Sequence, residues 1–446
     1  MVTAPLNLRP VFDRSLLWFG SGFLILMIAL MIGPRVPDDQ QVMHCVVNVH
    51  LPGPFGIGLN CDSPEFMRLA SEPGALLEPL NTRQSRPGLI AAAATLTWAL
   101  SPLTALTGRL HIQASRADID PQRIASAVAK GIPAYLAYII INILLVMTAF
   151  FLLRLICAPW VDHSASAMVV LTSIGFLLVT NDVVKAFVWS PHTQMFNILV
   201  PVFALYASMR ANAGALIQRR VAISIGILAG LGGTAYPLFV IVLPCVALCA
   251  LAFALRRGSR KIWSQSVINI VVVTVLAFLP EALWAAFVWL KTGGFYQHEV
   301  AAHGQVVWML AAWNDGFGTL VSIWLSKLKL LFWMAAPQAI PLIAVLIAAF
   351  GISTWGSRRD VQRSLLPLAA TGVFVSAVTA AFYASVGIIM PRIAFSIIPA
   401  LIVFAAGSAL AVTERDYTRR RILAYCCVAV ALVAAIYTVA KNGPYA

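Results

Sequence analysis

Charge is scarce in this chain: 11% of its 446 residues are Asp, Glu, Lys or Arg, and 60% are apolar. A soluble domain carries about 25% charged residues, so a water-soluble globular fold is excluded. No small-x-small cleavage pattern follows the first apolar run, residues 15–33, which therefore reads as an uncleaved first helix. No internal repeat stands out. Five of the seven cysteines (Cys157, Cys245, Cys249, Cys426 and Cys427) lie in or beside apolar runs, where Cys behaves as a small hydrophobe. The zinc-protease spacing is also missing. His298 and His303, around Glu299, stand one residue too far apart to share a helix face.

What the chain has instead is a series of apolar runs of about 18–22 residues, each enough to cross roughly 30 Å of hydrocarbon as a helix. Their length argues for helices over the short alternating strands of a barrel. The expected fold is an all-α polytopic membrane protein, a single transmembrane domain over residues 1–446 with roughly eleven to thirteen spans. The formal net charge is +14, yet the cations fall in short clusters between apolar runs, which is the positive-inside pattern and not a nucleic-acid surface. Arg9 with Arg14, Arg210 with Arg219 and Arg220, Arg256 to Lys261, Arg358 with Arg359, and Arg415 with Arg419 to Arg421 are all placed in the cytoplasm. A monomer among membrane lipids is expected.

With the first helix starting inside, residues 34–87 form a long first outer loop. Pro52-Gly53-Pro54 and Pro73-Gly74 punctuate it and leave room for two short interfacial helices. Cys45 and Cys61 both fall in it and would bridge in an oxidising compartment if geometry allows. Residues 88–107 read as a second span, returning to a cytoplasmic loop with Arg109, Arg116, Arg123 and Lys130. Three apolar segments follow, 132–153, 164–180 and 194–209, before the next cytoplasmic cluster. Three crossings cannot join two cytoplasmic loops, so one segment must be re-entrant, broken or interfacial. Residues 221–255 suit a tight helical hairpin around Pro237, with Gly226-x-x-x-Gly230 for close helix approach. A second outer loop, 291–336, carries an interfacial helix at 319–333, and 338–355 makes the next crossing.

Asp62 is the first candidate for chemistry. With Glu65 three residues on it fits a capping box; but Pro64 prefers the first helical position, which would make Ser63 the cap and leave Asp62 outside the helix. A carboxylate held there without capping can act as a general base. The layout around it is an Asp near a surface helix, then Phe66-Met67-Arg68-Leu69-Ala70, then Arg83-x-x-Arg86-Pro87 before the second helix. Together with the late stretch Pro391-Arg392-Ile393-Ala394-Phe395-Ser396-Ile397-Ile398-Pro399, it resembles the GT-C superfamily of membrane glycosyltransferases, which take sugars from polyprenyl phosphates. The likeness covers the overall layout and two short motifs.

The resemblance implies an inverting transfer at the periplasmic face of a bacterial inner membrane, from a polyprenyl-phosphate sugar to a lipid or glycan acceptor, with Asp62 as base. Several members have two adjacent acids where this chain has Cys61-Asp62 and then Glu65, which leaves metal use open; no cofactor or metal site is assigned. Arg392 at a helix end either binds the lipid phosphate or snorkels to the interface. Arg83 and Arg86 either hold phosphate or flank the helix. Glu65, Lys327, Lys329, Asp182 and His303 complete the substrate-binding candidates. Asn181-Asp182-x-x-Lys185 with Trp189-Ser190-Pro191-His192 is either a second wall of the cavity or a turn in which Asp182 and Lys185 pair. The rival function is a transporter or flippase for a lipid-linked or amphipathic substrate, whose usual marks are paired repeats and charges in broken spans.

Overall fold

Among the described residues of the computed structural model, eight helices are long and apolar enough to cross a bilayer. The structure describes residues 14–43, 45–79, 81–104, 113–115, 131–161, 164–294, 300, 303–353, 359–412 and 417–441. In chain order the helices are α1 (Arg14–Ile32), α2 (Ser63–Ser71), α3 (Pro87–Leu100), α4 (Ile132–Cys157), α5 (Ala165–Phe176), α6 (Asp182–Phe187), α7 (Phe196–Asn212), α8 (Arg219–Gly233), α9 (Val242–Arg257) and α10 (Arg260–Thr292). They continue with α11 (Val307–Asn314), α12 (Phe317–Ser353), α13 (Arg359–Val386), α14 (Pro391–Ala394), α15 (Ile398–Val412) and α16 (Tyr417–Ala440). The chain is a polytopic, predominantly α-helical membrane protein.

Enclosure sorts the helices. Of the apolar stretch in Pro391–Val412, 89% is buried by protein, against 6% in Arg260–Thr292. The former is the centre of the bundle and the latter faces lipid, which explains why α10 stays apolar all round. Small residues set the closest approaches. A Cβ on Gly226 of α8 would lie 2.8 Å from Leu276 of α10, so the small-residue pair in the hairpin does let two backbones meet.

Side-chain ties at the helix ends fix the direction of each helix. At one end Arg256 donates to the Asn212 carbonyl (3.4 Å), Asn269 to the Leu216 carbonyl (2.6 Å), and Arg420 to Ser164 (3.4 Å). At the other end Tyr138 donates to the Phe66 carbonyl (3.1 Å), Trp284 to the Gln84 carbonyl (2.6 Å), and Lys185 to the Val439 carbonyl (3.0 Å). Arg210, Arg219, Arg220, Arg256, Arg257, Arg260, Lys261 and Arg419 to Arg421 therefore gather at one end, opposite Asp62. Arg9, Arg109, Arg116, Arg123, Lys130, Arg358 and Arg415 lie outside the described residues, as do His298 and Glu299.

Three sequence expectations need correcting. The first loop is not purely helical: β1 (Val46–His50) pairs antiparallel with β2 (Gly56–Asn60), and β3 (Gln113–Ser115) completes a three-stranded sheet. That third strand overturns the second span. β3 belongs to the loop assigned to the cytoplasm, yet it sits on β1 at the Asp62 end, and α4 starts at that end too through Tyr138. The stretch that begins with α3 at the Asp62 end is thus back at that end by β3, so α3 does not carry the chain to the opposite end and is a re-entrant leg. The parity problem disappears with it, because α4, α5 and α7 join one end of the bundle to the other by three passes. Finally, 319–333 is not a separate interfacial helix. It is continuous with the next crossing in α12, which carries Pro337 and Pro341 inside, as membrane helices tolerate.

Candidate functional site

The loop that presents Asp62 is fastened on both sides. Cys45 and Cys61 form a disulfide, closing the hairpin just before Asp62. Ser63 binds Ser190 (2.8 Å), and the Asn60 N–H donates to the same Ser190 hydroxyl (3.0 Å). Pro64 lies in the first turn of α2 and Asp62 occupies the cap position, but the Asp62 side chain makes no capping bond. Ser63 is thus the first helical residue and not the cap. The carboxylate goes instead to Arg83 (2.8 Å) through Oδ1 and to His192 (3.3 Å) through Oδ2.

The tautomer of His192 follows from its neighbours. Its Nδ1 accepts the Thr193 N–H at 2.9 Å, so Nε2 carries the proton and donates to Asp62. Burial, with Asp62 opposing and the nearby Arg392 and Arg86 charges assisting, pushes the ring down to about 4, and it is neutral at ordinary pH. Burial raises the Asp62 carboxyl, but the His192 hydrogen bond and the Arg83 charge outweigh that and hold it well below the usual carboxylate range. Its partners are sealed at 9% and 5% side-chain exposure, whereas Asp62 is 41% exposed. One face of the carboxylate is open.

Three guanidiniums lie on an aromatic floor at this end, of which Arg83 is bonded to the carboxylate. Arg83 lies over Phe66 (5.1 Å), Arg86 between Phe66 and Tyr236 (5.9 Å to each), and Arg392 over Phe187 (5.4 Å). Arg86 also donates to Thr193 (2.9 Å). His192 packs edge-on to Phe66 (5.6 Å) and against Phe187 (4.9 Å). Asn142 on α4 donates to the carbonyls of Phe187, Val188 and Ser190 (3.1–3.2 Å), which fixes the segment carrying His192. Behind Arg86 and Arg392, Asn197 accepts from Tyr236 (2.9 Å) and Tyr383 (2.8 Å) and reaches the Arg392 carbonyl (3.4 Å). Among the described residues no carboxylate pairs with Arg392, and its buried Nε has no hydrogen-bond partner.

Asp62, Arg83, Arg86 and Arg392 therefore converge, although they come from loops more than 300 residues apart in sequence. The other candidates do not join them. Glu65 is bound in bidentate fashion by Arg68 (2.9 Å), which also holds Glu78 (2.9 Å). Asp182 pairs with Lys441 (2.7 Å) at the end of α16, so neither the cavity-wall reading of Asp182 nor its pairing with Lys185 holds. Lys327 sits over Trp308 (4.8 Å) near the Gly387 carbonyl (3.4 Å); Lys329 and His303 are exposed. The stretch Trp189 to His192, one of whose two sequence readings was a second wall of the cavity, does line the site through His192, though the sequence assigned His192 no role; Thr193, Tyr236 and Asn197 were omitted. Comparison with protein-family models, with curated proteins and with solved structures finds no match.

The buried His192 has a stability consequence. An unfolded His titrates near 6.5 and this one near 4, so between those values the unfolded state binds more protons and stability falls as pH falls. His192→Asn keeps an N–H donor for Asp62 but cannot ionise. Thermal unfolding of the purified protein should weaken by on the order of 2–3 kcal/mol from pH 7 to pH 4 in wild type beyond the change in the variant. Parallel pH profiles would show that His192 does not titrate this way.

Proposed function

We propose that the protein is an inverting glycosyltransferase that moves a sugar from a polyprenyl-phosphate carrier to a hydroxyl of a lipid or glycan acceptor. In this reading the arginine-rich end of the bundle faces the cytoplasm, as the positive-inside rule favours, and Asp62 faces the periplasm of a bacterial inner membrane. Nucleotide sugars are absent there, so a donor must arrive on a lipid. The observation that carries the reading is a half-open carboxylate clamped by Arg83 and His192 beside Arg86 and Arg392.

In this reading the acceptor hydroxyl bonds to the open face of Asp62. Its oxygen attacks the anomeric carbon while the bond from that carbon to the phosphate oxygen breaks on the opposite face. The hydroxyl proton passes to Asp62, the electron pair leaves on the phosphate, and configuration inverts. Arg392, Arg86 and Arg83 stabilise the phosphate charge as it grows, through charge-assisted bonds suited to its oxygens. A carboxylate with a low pKa is a weak base. Donor phosphate competing for Arg83 would leave His192 as the main clamp on Asp62 and raise its basicity at the moment it is needed.

The test is reconstitution of purified protein with polyprenyl-phosphate sugars and candidate acceptors. Release of free polyprenyl phosphate together with a glycosylated acceptor is the expected result. The re-entrant α3 leg resembles the broken helices of transporters; a lipid-linked glycan crossing the bilayer with no donor consumed would replace the transferase reading with a transporter.

A further inference from the structure

At the end of the bundle opposite Asp62, α7, α9 and α13 line an open groove of about 420 Å³, in the size range of small-molecule sites. Its walls include Leu248, Ala252, Leu366 and Phe374, and Asn212 and Arg256 stand at its polar rim. Leu248 and Leu366 are 52% and 67% exposed, so the groove opens sideways onto the hydrocarbon that surrounds the bundle. What enters from that side is an acyl chain.

The rim selects the headgroup. Arg256 is posed over the opening by three bonds: its Nε donates to the Ala252 carbonyl (3.2 Å), and its Nη2 to the Asn212 carbonyl (3.4 Å) and the Asn212 side chain. No carboxylate pairs with it among the described residues, and its Nη1 has no hydrogen-bond partner there. Arg257, Arg260 and Lys261, all exposed, extend the positive surface. An Arg near a helix C-terminus ordinarily serves the helix dipole or snorkels. Neither role calls for an apolar groove directly beneath a fixed guanidinium. A basic rim over an apolar slot between spans is the arrangement that recognises acidic lipid headgroups.

We infer that this groove is a binding site for an acidic phospholipid of the leaflet at the arginine-rich end, with one acyl chain between α9 and α13 and the phosphate on Arg256. The site is independent of the transferase reading. The probe is phosphatidylglycerol against phosphatidylcholine of the same chains, added to the full-length protein in detergent and read by native mass spectrometry and thermal shift. Wild type should retain phosphatidylglycerol preferentially and be stabilised by it. Arg256→Gln should cut that retention by about fivefold, as loss of one headgroup cation implies. Ala252→Phe should block it by filling the groove with all charges in place, while Arg257→Gln, stacked outside over Phe253 (5.4 Å), should retain more than Arg256→Gln. Equal retention of the two lipids by wild type overturns the proposal whether or not a variant folds. So does undiminished binding by both Arg256→Gln and Ala252→Phe.

Discussion

Asp62→Asn should lower the turnover of sugar transfer by about 10²–10⁴-fold, the usual contribution of a positioned base, without weakening donor binding, since Arg83 loses the carboxylate that competes with the donor phosphate. The substitution keeps the shape of the side chain and removes its charge. An Asn can accept from only one of its two clamps, so its amide must face either Arg83 or the Nε2–H of His192, donor against donor. Some loss of stability follows, moderated because Asp62 is 41% exposed and water can compensate. The two effects separate in one experiment: donor-lipid affinity and the unfolding temperature report the fold, and single-turnover transfer reports the base. Transfer at the wild-type rate by folded Asp62→Asn would remove Asp62 from the mechanism.

The proposed mechanism calls on a single carboxylate, and the partners of the two acids near the start of α2 show why. Glu65, the other acid near the start of α2, is committed to Arg68 and thereby to Glu78, so it anchors the helix to the following turn. The two acids that look alike in sequence are similarly exposed, 41% for Asp62 and 37% for Glu65, and are divided by their partners: one meets Arg83 and His192 with a face left open, the other is taken up by Arg68. Division of that kind is how neighbouring titratable groups acquire different tasks.

What the sequence revealed and what it hid follow from the range of the interactions. Apolar runs report burial in lipid or protein directly, so the long helices were legible, as was the hairpin whose glycines meet α10. Arg83, Arg86 and Arg392 stood out because charge beside an apolar span is costly. The stretch holding His192 also stood out, but the role of His192 did not, because it depends on Asp62, 130 residues away, and on a tautomer set by the Thr193 N–H. Tyr236 and Tyr383 carry no motif in the sequence, and only their shared bond to Asn197 ties them to the site. α3 was misread for a physical reason: an apolar segment that enters the bundle and returns has the same composition as one that crosses. Only the pairing of β3 with β1 distinguishes them.

Arg392→Ala should raise the donor-lipid KM by about 10–100-fold, the factor expected when hydrogen bonds to a charged group are lost, and change acceptor affinity little. The side chain is prepared for an anion. Phe187 supports its guanidinium at 5.4 Å, Asn197 holds its backbone carbonyl at 3.4 Å, and its Nε is buried with no partner among the described residues. Holding such a group at a helix end costs energy, which an arriving phosphate offsets. Arg392→Lys should restore only part of the affinity, since an ammonium supplies charge without the planar fork. A snorkelling arginine would behave differently: it needs only the interface, so Lys would substitute fully and Ala would weaken donor and acceptor equally or not at all. Titrating donor and acceptor separately against the three proteins decides between the two, because only a phosphate ligand makes the loss one-sided.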